Sequence, residues 1–424
     1  MGNVVVGIDV GTTKICTIVG EVRADDLYVI GVGVEPSRGM KKGVVMDVNA
    51  LINAVSASVH KAERNSRYQI NRAFVSVASG NIDARNSKGV VGISSKNGVQ
   101  ITDLERAIDA ARAIPLPHNR EILHVIPRSY TLDGQEGVRS PLGMHGFRLE
   151  VETHIIMAST SGLQNIEKCV HAAGVTVDRF ILNPLASADV VLAPSEREMG
   201  SVVVDIGGGT TDIAIFQNGS VWHTAVIPVG GWHLTNDIAV RFHLPYETAE
   251  GVKLEYGNAD PNAIDPEEQF LVPQFGEDTM VQVSRRELAE TIYYRVEELF
   301  ELIAEEIKRS GVGVIPAGAI LTGGSSQLPG MKTIAANVLK LPARLAQPEK
   351  ISGMSDQLLH PSYSTSVGLL RLGLIMDQED ARRGVALETE YPANGNNPNR
   401  GRRPNPMVRR IGEMLRRLLP EDNP

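Results

Sequence analysis

Aromatic residues are scarce in this chain, at 4% of 424 residues. Bases stack on aromatic side chains, so a body this poor in them has little to offer a nucleic-acid strand. Cysteine is nearly missing: Cys16 and Cys169 are the two. They make no disulfide framework and fit a reducing cytoplasm. No apolar run approaches the roughly 18 residues that span a bilayer. No secretory leader is expected, since MGNVVVGIDV carries Asp9 where such a leader is apolar. Gly2 does not make a myristoylation pattern, because position 6 is Val6. Positive charge is also lacking over most of the length. The chain totals −8, yet residues 400–419 hold seven arginines against Glu413, a local +6. With Glu421 and Asp422 counted, the first 399 residues carry −12. That balance argues against a nucleic-acid-binding body. The rest is ordinary for a soluble globular protein, 42% hydrophobic and 22% charged, and long enough for two or more cored domains.

One pattern occurs twice. VVVGIDVGTTKI fills 4–15 and VVVDIGGGTTDI fills 202–213. Each is a β-branched run, an acid, glycine, a Thr pair and a return to apolar residues, the pattern of a β-hairpin with a tight glycine turn. Asp9 and Asp205 stand at equivalent positions, which predicts a duplicated α/β architecture with two domains facing each other. A glycine turn lets backbone N–H groups come close to phosphate oxygens, and Thr or Lys adds donors. Gly11, Thr12, Thr13 and Lys14 would form one jaw around a triphosphate, and Gly207, Gly208, Gly209, Thr210 and Thr211 the other. Asp9 and Asp205 would hold Mg²⁺ through waters, because Mg²⁺ dehydrates reluctantly. One glycine hairpin is usually only a hairpin; two at matching positions carry the reading. A third stretch, AILTGGSSQLPGM at 319–331, reads as a buried strand breaking at Gly323 and Gly324, with Ser325 beside them, before a helix. That geometry brings amides and a helix N-terminus to a nucleotide.

Helical patterns fill the gaps. DVNALINAVSASVHKAER at 47–64 is one, and GLQNIEKCVHAAG at 162–174, closed by Gly174, is another. NPLASADVVL at 183–192 and SYSTSVGLLRLGLIM at 362–376 are rich in small residues, so they bridge the two domains by close crossing or are plain core helices. The longest helix is expected at 284–311, with a capping box of Ser284 and Glu287. Its apolar stripe is Leu288, Ile292, Val296, Leu299, Ile303 and Ile307, and its other face is acidic. Residues 82–160 look like an extra module: a helix capped by Thr102–Glu105 and running through Ala113, strand-like flanks, then a loop, RSPLGMHGFRLEVETHIIM. After Glu390, YPANGNNPNRGRRPNP has the composition of a flexible linker.

The chain ends in an amphipathic pattern. Met407, Val408, Ile411, Met414, Leu415, Leu418 and Leu419 share one helical face, and Arg409, Arg410, Arg416 and Arg417 lie opposite with Glu413. Pro406 starts this helix and Pro420 stops it. Such a helix lies in a bilayer interface with its arginines on anionic headgroups. Docking on its own body or on another protein is the alternative.

The three glycine motifs resemble those of the actin, sugar-kinase and chaperone ATPase superfamily: GIDVGTTK its first phosphate motif, DIGGGTTD its second, LTGGSSQLPG its adenosine motif. The resemblance implies that Glu250 and Lys253, in YETAEGVKLEYG, approach the adenosine, and that Gly230 and Gly231, in PVGGWHLTNDIA, lie near the nucleotide. Within the superfamily, LHVIPRSYTLDGQEGVRSPLGMHGFRLEVETHII at 123–156 is similar to the inserted subdomain of FtsA, the bacterial actin-like cell-division family.

The implied fold is α/β: an actin-like two-domain ATPase with an inserted subdomain replacing the usual small one. Residues 1–81 with 355–390 would form one core subdomain, 82–160 the insert, and 161–235 with 319–354 the second core. Residues 236–318 would form a helical subdomain, 391–406 a disordered linker and 407–419 the membrane helix. By resemblance such a protein binds ATP and Mg²⁺, polymerises with itself, and anchors the tubulin-like FtsZ ring to anionic lipid. It sits peripherally on the cytoplasmic face of the inner membrane at the division site. The FtsZ C-terminal peptide would dock on 236–318, with the acidic helix 286–309 as a candidate surface; other division proteins are implied partners, nucleic acid is not.

The family pattern is broken at one place. Chaperone relatives have a Glu that positions the attacking water where this chain has Asn183 before Pro184. Asn orients a water but takes no proton, so slow or absent hydrolysis is expected. The rival readings are a small-molecule kinase of the same superfamily, for which no substrate carboxylate motif is present, and an actin-like adaptor of type IV pilus assembly.

Overall fold

The computed structural model describes residues 4–23, 26–273, 280–349, 351–353 and 356–382. The predicted linker and terminal helix, 391–419, lie outside them.

The repeated sequence is a repeated topology. VVVGIDV pairs antiparallel with Lys14–Arg23, which pairs antiparallel with Asp26–Pro36. On its other edge it runs parallel to Arg72–Val77, and that strand parallel to Thr176–Leu182. The second half copies this order: Ser201–Ile206 pairs antiparallel with Thr211–Gln217, then Ser220–Ile227, and parallel with Ala319–Thr322, then Ala343–Leu345. β-Branched runs buried on both faces explain the central strands; Ser201–Ile206 is buried at every residue. Register places Asp9 opposite Cys16 and Asp205 opposite Asp212, so the acids are equivalent in space as in sequence.

Two helices lie between the halves. Ser364–Arg382 packs on the first sheet, Asn183–Val191 on the second, and each packs on the other. The small side chains read as a close crossing do make one: a Cβ on Gly368 would sit 1.7 Å from the carbonyl oxygen of Ala186.

The extra module is a four-stranded sheet in the order Asp83–Gly92, Arg148–Ser159, Arg120–Leu132, Gln135–Val138, covered by the helix Ile101–Arg112. Two expectations are corrected here. The stretch 148–157, expected in the loop, is a central strand, because Leu149, Val151, Thr153 and Ile155 alternate onto the buried face. The cap lies two residues earlier than Thr102: Gln100 is the N-cap, and its backbone N–H donates to Asp103 at 3.0 Å. The module also meets the second half. His154 Nε2 is 2.9 Å from Thr224 Oγ1, and the Arg128 guanidinium lies 3.6 Å over the Trp222 ring.

The helices Gly231–Phe242, Tyr246–Tyr256 and Arg285–Arg309 form a cluster on the second half. Along the longest of them Leu288, Ile292, Val296, Leu299 and Ile303 are buried as one stripe, with Ile307 partly buried. Its capping box is half made. Ser284 Oγ accepts from the Glu287 N–H at 3.4 Å, but the Glu287 carboxylate pairs with Arg241 instead of turning back. No helix among the described residues is long and apolar enough to cross a membrane.

Candidate functional site

The two glycine turns are built alike. Gly11 N–H donates to Lys14 O at 3.1 Å, and Gly207 N–H to Thr210 O at 2.9 Å. They meet face to face. A Cβ on Gly208 would lie 2.1 Å from Thr13 Cγ2, and one on Gly209 2.6 Å from Thr12 Oγ1. Glycine there is what lets the jaws approach. Between and beside them opens a cavity of about 920 Å³.

The floor carries buried charge. Asp9 accepts from Ser76 Oγ at 2.8 Å and Ser366 Oγ at 2.7 Å. Asp205 accepts from Thr365 Oγ1 at 2.9 Å. Burial pushes the Asp205 carboxyl up to about 6; the Thr365 hydroxyl opposes this, and neighbouring Asp9 adds to it. Asp212 is raised well above the usual carboxylate range by burial, then by Asp205 and Asp9. Lys14 is lowered by burial, with Asp9 its main opposing influence. Its Nζ donates to the Ser362 carbonyl and sits 3.9 Å from the Tyr363 ring centre. Lys14 is thus held in the floor. Burial raises the Cys16 thiol to about 12, and Asp9 adds to the rise.

The opposite wall comes from the second half. Gly231 N–H donates to Gly207 O at 2.9 Å and Trp232 N–H to Gly208 O at 2.7 Å, so the start of the 231–242 helix fixes the second turn. Ser325 Oγ also donates to Gly207 O, at 3.0 Å. Lys253 Nζ donates to Glu250 at 2.7 Å and Thr235 Oγ1 at 2.9 Å. Gly323 has φ +87° and its absent Cβ would meet Asp205 Oδ1 at 2.4 Å, so only glycine serves there. The chain then makes a single 3₁₀ turn, Gly324–Gln327, and the α-helix begins at Met331.

Most of the residues expected from sequence line this one cavity: Asp9, Gly11, Thr12, Thr13, Lys14, Asn183, Asp205, Gly207, Gly208, Gly209, Thr210, Gly231, Glu250, Lys253, Gly323, Gly324 and Ser325. Thr211 and Gly230 stand behind the wall. Thr211 Oγ1 donates to Val229 O at 2.8 Å, and Gly230 lies against the Gly207 and Gly208 backbone. Sequence reasoning missed Lys41, Lys42, Trp232, Tyr246, Asp212 and Thr365, which also line it. Asp212 had a signal, being the last acid of DIGGGTTD; Trp232 and Tyr246 lie inside PVGGWHLTNDIA and YETAEGVKLEYG, and Thr365 inside the small-residue stretch 362–376, while Lys41 and Lys42 have no pattern of their own.

Mg²⁺ fits these residues. Asp212 Oδ1 and Asn183 Oδ1 are buried oxygens without a hydrogen-bond partner in the protein, both on residues lining the cavity. Among the described residues no three His, Cys, Asp or Glu converge as a direct ligand set. Scattered oxygens with few direct ligands suit a hydrated cation shared with phosphate.

The sequence profile described as cell division protein FtsA matches residues 202–368, and that of the SHS2 domain inserted in FtsA matches 79–157. The chain is 44% identical over 375 residues to the cell division protein FtsA of Pseudomonas aeruginosa, covering 88% of this chain and 90% of that one. Among solved structures it is similar to the PilM–PilN type IV pilus biogenesis complex, with a TM-score of 0.64 at 18% identity over 87% of this chain and 98% of that one. It is similar also to MreB 5 of Spiroplasma citri bound to AMPPNP, with a TM-score of 0.52 at 14% identity over 90% and 99%.

Proposed function

The chain belongs to the FtsA family of actin-like cell-division proteins, and from that premise we propose that it binds ATP between its halves, polymerises, and anchors the FtsZ ring to the cytoplasmic membrane. The observation that carries the reading is the meeting of two equivalent glycine turns, Gly208 on Thr13 and Gly209 on Thr12, above Asp9 and Asp205.

Backbone amides of both turns donate to phosphate oxygens, with the Thr hydroxyls beside them. Lys14 balances Asp9 and Asp205 from the floor. Gly323 and Gly324 give the adenosine a close approach to backbone, and the Glu250–Lys253 pair borders it. Asp9 and Asp205 would hold Mg²⁺ through waters, and the bound ion would neutralise phosphate charge. Asn183 orients a water but takes no proton, so the nucleotide sets conformation and assembly more than it is turned over.

The FtsZ peptide docks on the helical cluster. A groove of about 410 Å³ runs there between the 231–242 and 285–309 helices, lined by Asp237, Arg241, Tyr294 and Arg295 among others. Tyr294 is 68% exposed in it, an aromatic anchor of the kind that dominates interfaces.

The terminal helix, residues 407–419, supplies the membrane contact. Each Arg near an anionic surface contributes about 1 kcal/mol, so one helix grips reversibly. Joining copies in a filament makes later contacts intramolecular and raises avidity by about 10²–10⁴.

The test is pelleting with anionic vesicles, with and without ATP. Full-length protein pellets best with ATP, while a chain ending at Glu390 and Met414→Glu stay in solution yet bind ATP. Tyr294→Ala still pellets but brings down no FtsZ. Equal pelleting of full-length and shortened chains would remove the membrane assignment; FtsZ recruitment by Tyr294→Ala would remove the groove.

A further inference from the structure

Four lysines line the cavity: Lys14, Lys41, Lys42 and Lys253. Two are already committed. Lys14 donates to the Ser362 carbonyl and lies over Tyr363; Lys253 is paired with Glu250 at 2.7 Å. Lys41 and Lys42 make no ion pair with a described carboxylate. They sit on a small hairpin, Met40–Lys41 with Val44–Val45, at the cavity mouth.

This hairpin is fastened to the site. Gly43 N–H donates to Thr12 Oγ1 at 3.3 Å, tying it to the first glycine turn. Gly43 has φ +73°, and a Cβ there would lie 1.9 Å from the Ala78 carbonyl oxygen, so the turn is pressed onto the backbone behind it. From this mount the lysines reach the other half. Lys41 Nζ lies 5.1 Å from the Trp232 ring centre. Lys42 is near enough to His233 to add to the lowering of its pKa that burial begins. Trp232 itself holds the second glycine turn through Gly208. The hairpin thus crosses the mouth from the first turn to the second.

We propose that Lys41 and Lys42 bind the terminal phosphate of a nucleoside triphosphate and close the mouth over it. The proposal rests on the nucleotide reading of the cleft and adds the groups that discriminate triphosphate from nucleoside. A polyanion needs cations that are not already engaged, and among the described residues Lys41 and Lys42 are the cavity lysines whose ammonium groups make neither a hydrogen bond nor an ion pair. An ammonium on a flexible stem leaves an aromatic ring for phosphate at small cost, since charge-assisted bonds to phosphate are the stronger contact.

The experiment compares full-length wild type with the double variant Lys41→Gln/Lys42→Gln, measuring Kd for ATP and for adenosine by equilibrium dialysis with Mg²⁺ present. The variant should bind ATP about 10-fold more weakly or worse, and adenosine within about twofold. Lys41→Arg/Lys42→Arg should recover most of the ATP affinity, which a purely packing role would not give. Unchanged ATP affinity overturns the proposal. Equal loss for ATP and adenosine overturns it too, because the lysines then act through the shape of the mouth. If wild type binds neither ligand, the reading of the cleft falls, and this inference falls with it.

Discussion

Gly368→Ala is the substitution whose effect the geometry defines most sharply. Its Cβ would lie 1.7 Å from Ala186 O and 2.4 Å from Ala186 C. Ordinary C···O contacts are about 3.3–3.6 Å, so the two inter-half helices must part by roughly 1.5 Å. Both obstacles are backbone atoms, and no rotamer relieves them. Overpacking costs about 1–3 kcal/mol; the rigid partner puts this case near 3, and alanine returns about 1 kcal/mol of helix propensity. The net loss is about 2 kcal/mol, or about 4–8 °C in Tm for a cooperative unit of 150–250 residues. Gly251 is the control. It lies within the 246–256 helix with nothing within 4 Å of its would-be Cβ. Gly251→Ala should therefore gain about 0.5–1 kcal/mol. The assay is thermal unfolding of the two variants beside wild type, repeated with Mg-ATP. Only Gly368→Ala should also weaken the ATP-induced shift, since Thr365 and Ser366 leave Asp205 and Asp9 when the helix moves. If Gly368→Ala melts within about 1 °C of wild type, or Gly251→Ala falls equally far, the close crossing is not what limits that position.

Two further predictions concern the carboxylates and the missing base. Asp205 is raised from the usual 3.8 to about 6, chiefly by burial. The native state then holds its proton longer, so the stability from this group is whole below about pH 4 and lost as pH rises through 6. Two units correspond to about 3 kcal/mol. Asp205→Asn, which can still accept from Thr365, should melt above wild type at pH 7.5 and converge with it at pH 4; Mg-ATP should reverse the order. A variant that melts lower at pH 7.5 without nucleotide contradicts the assignment. For turnover, Asn183 lines the cavity where a carboxylate would serve as base. Steady-state ATP hydrolysis by purified protein should stay well below the ~1–100 s⁻¹ of kinases, and a rate inside that range sinks the expectation.

The duplicated hairpins were legible because they are local. A β-branched run, an acid and a glycine turn specify a hairpin in a dozen residues, and doing so twice announces the pairing of halves. The stripe Leu288 to Ile303 was legible for the same reason, its period being written along one helix. The insert was harder. Its central strand, Arg148–Ser159, begins where RSPLGMHGF ends, and glycine and proline masked the alternation beyond them. The cap was misplaced by two residues: Gln100 with Asp103 takes the place expected of Thr102 with Glu105, because Asp103 is buried at 5% exposure and finds its donor in the Gln100 N–H. Lys41 and Lys42 were invisible for a different reason. Each meets the cavity through long-range packing, and no spacing in the chain encodes that Met40–Val45 crosses to the start of the 231–242 helix.

One short segment draws the three glycine motifs together. From Pro361 to Ser366 the chain reads PSYSTS, rich in hydroxyls, and the sequence suggested its last five residues only as the start of a helix that crosses closely or lies plainly in the core. The Ser362 carbonyl and Tyr363 ring hold Lys14 of the first motif, and Ser366 holds Asp9. Thr365 holds Asp205 of the second. Ser364 Oγ meets Thr322 Oγ1 at 2.6 Å, and the Pro361 carbonyl accepts from Gly323 N–H at 3.2 Å, so the third is held too. These six residues are a short turn, Pro361–Tyr363, and the first three residues of the 364–382 helix, and the chain beyond that helix runs to the proposed membrane foot. A change in how the halves sit around a nucleotide must move this segment, because its bonds end on all three glycine motifs. The same residues that seat the phosphate turns therefore begin the stretch of chain that carries the foot. On the proposed function, that continuity is the covalent route by which nucleotide state reaches the membrane contact.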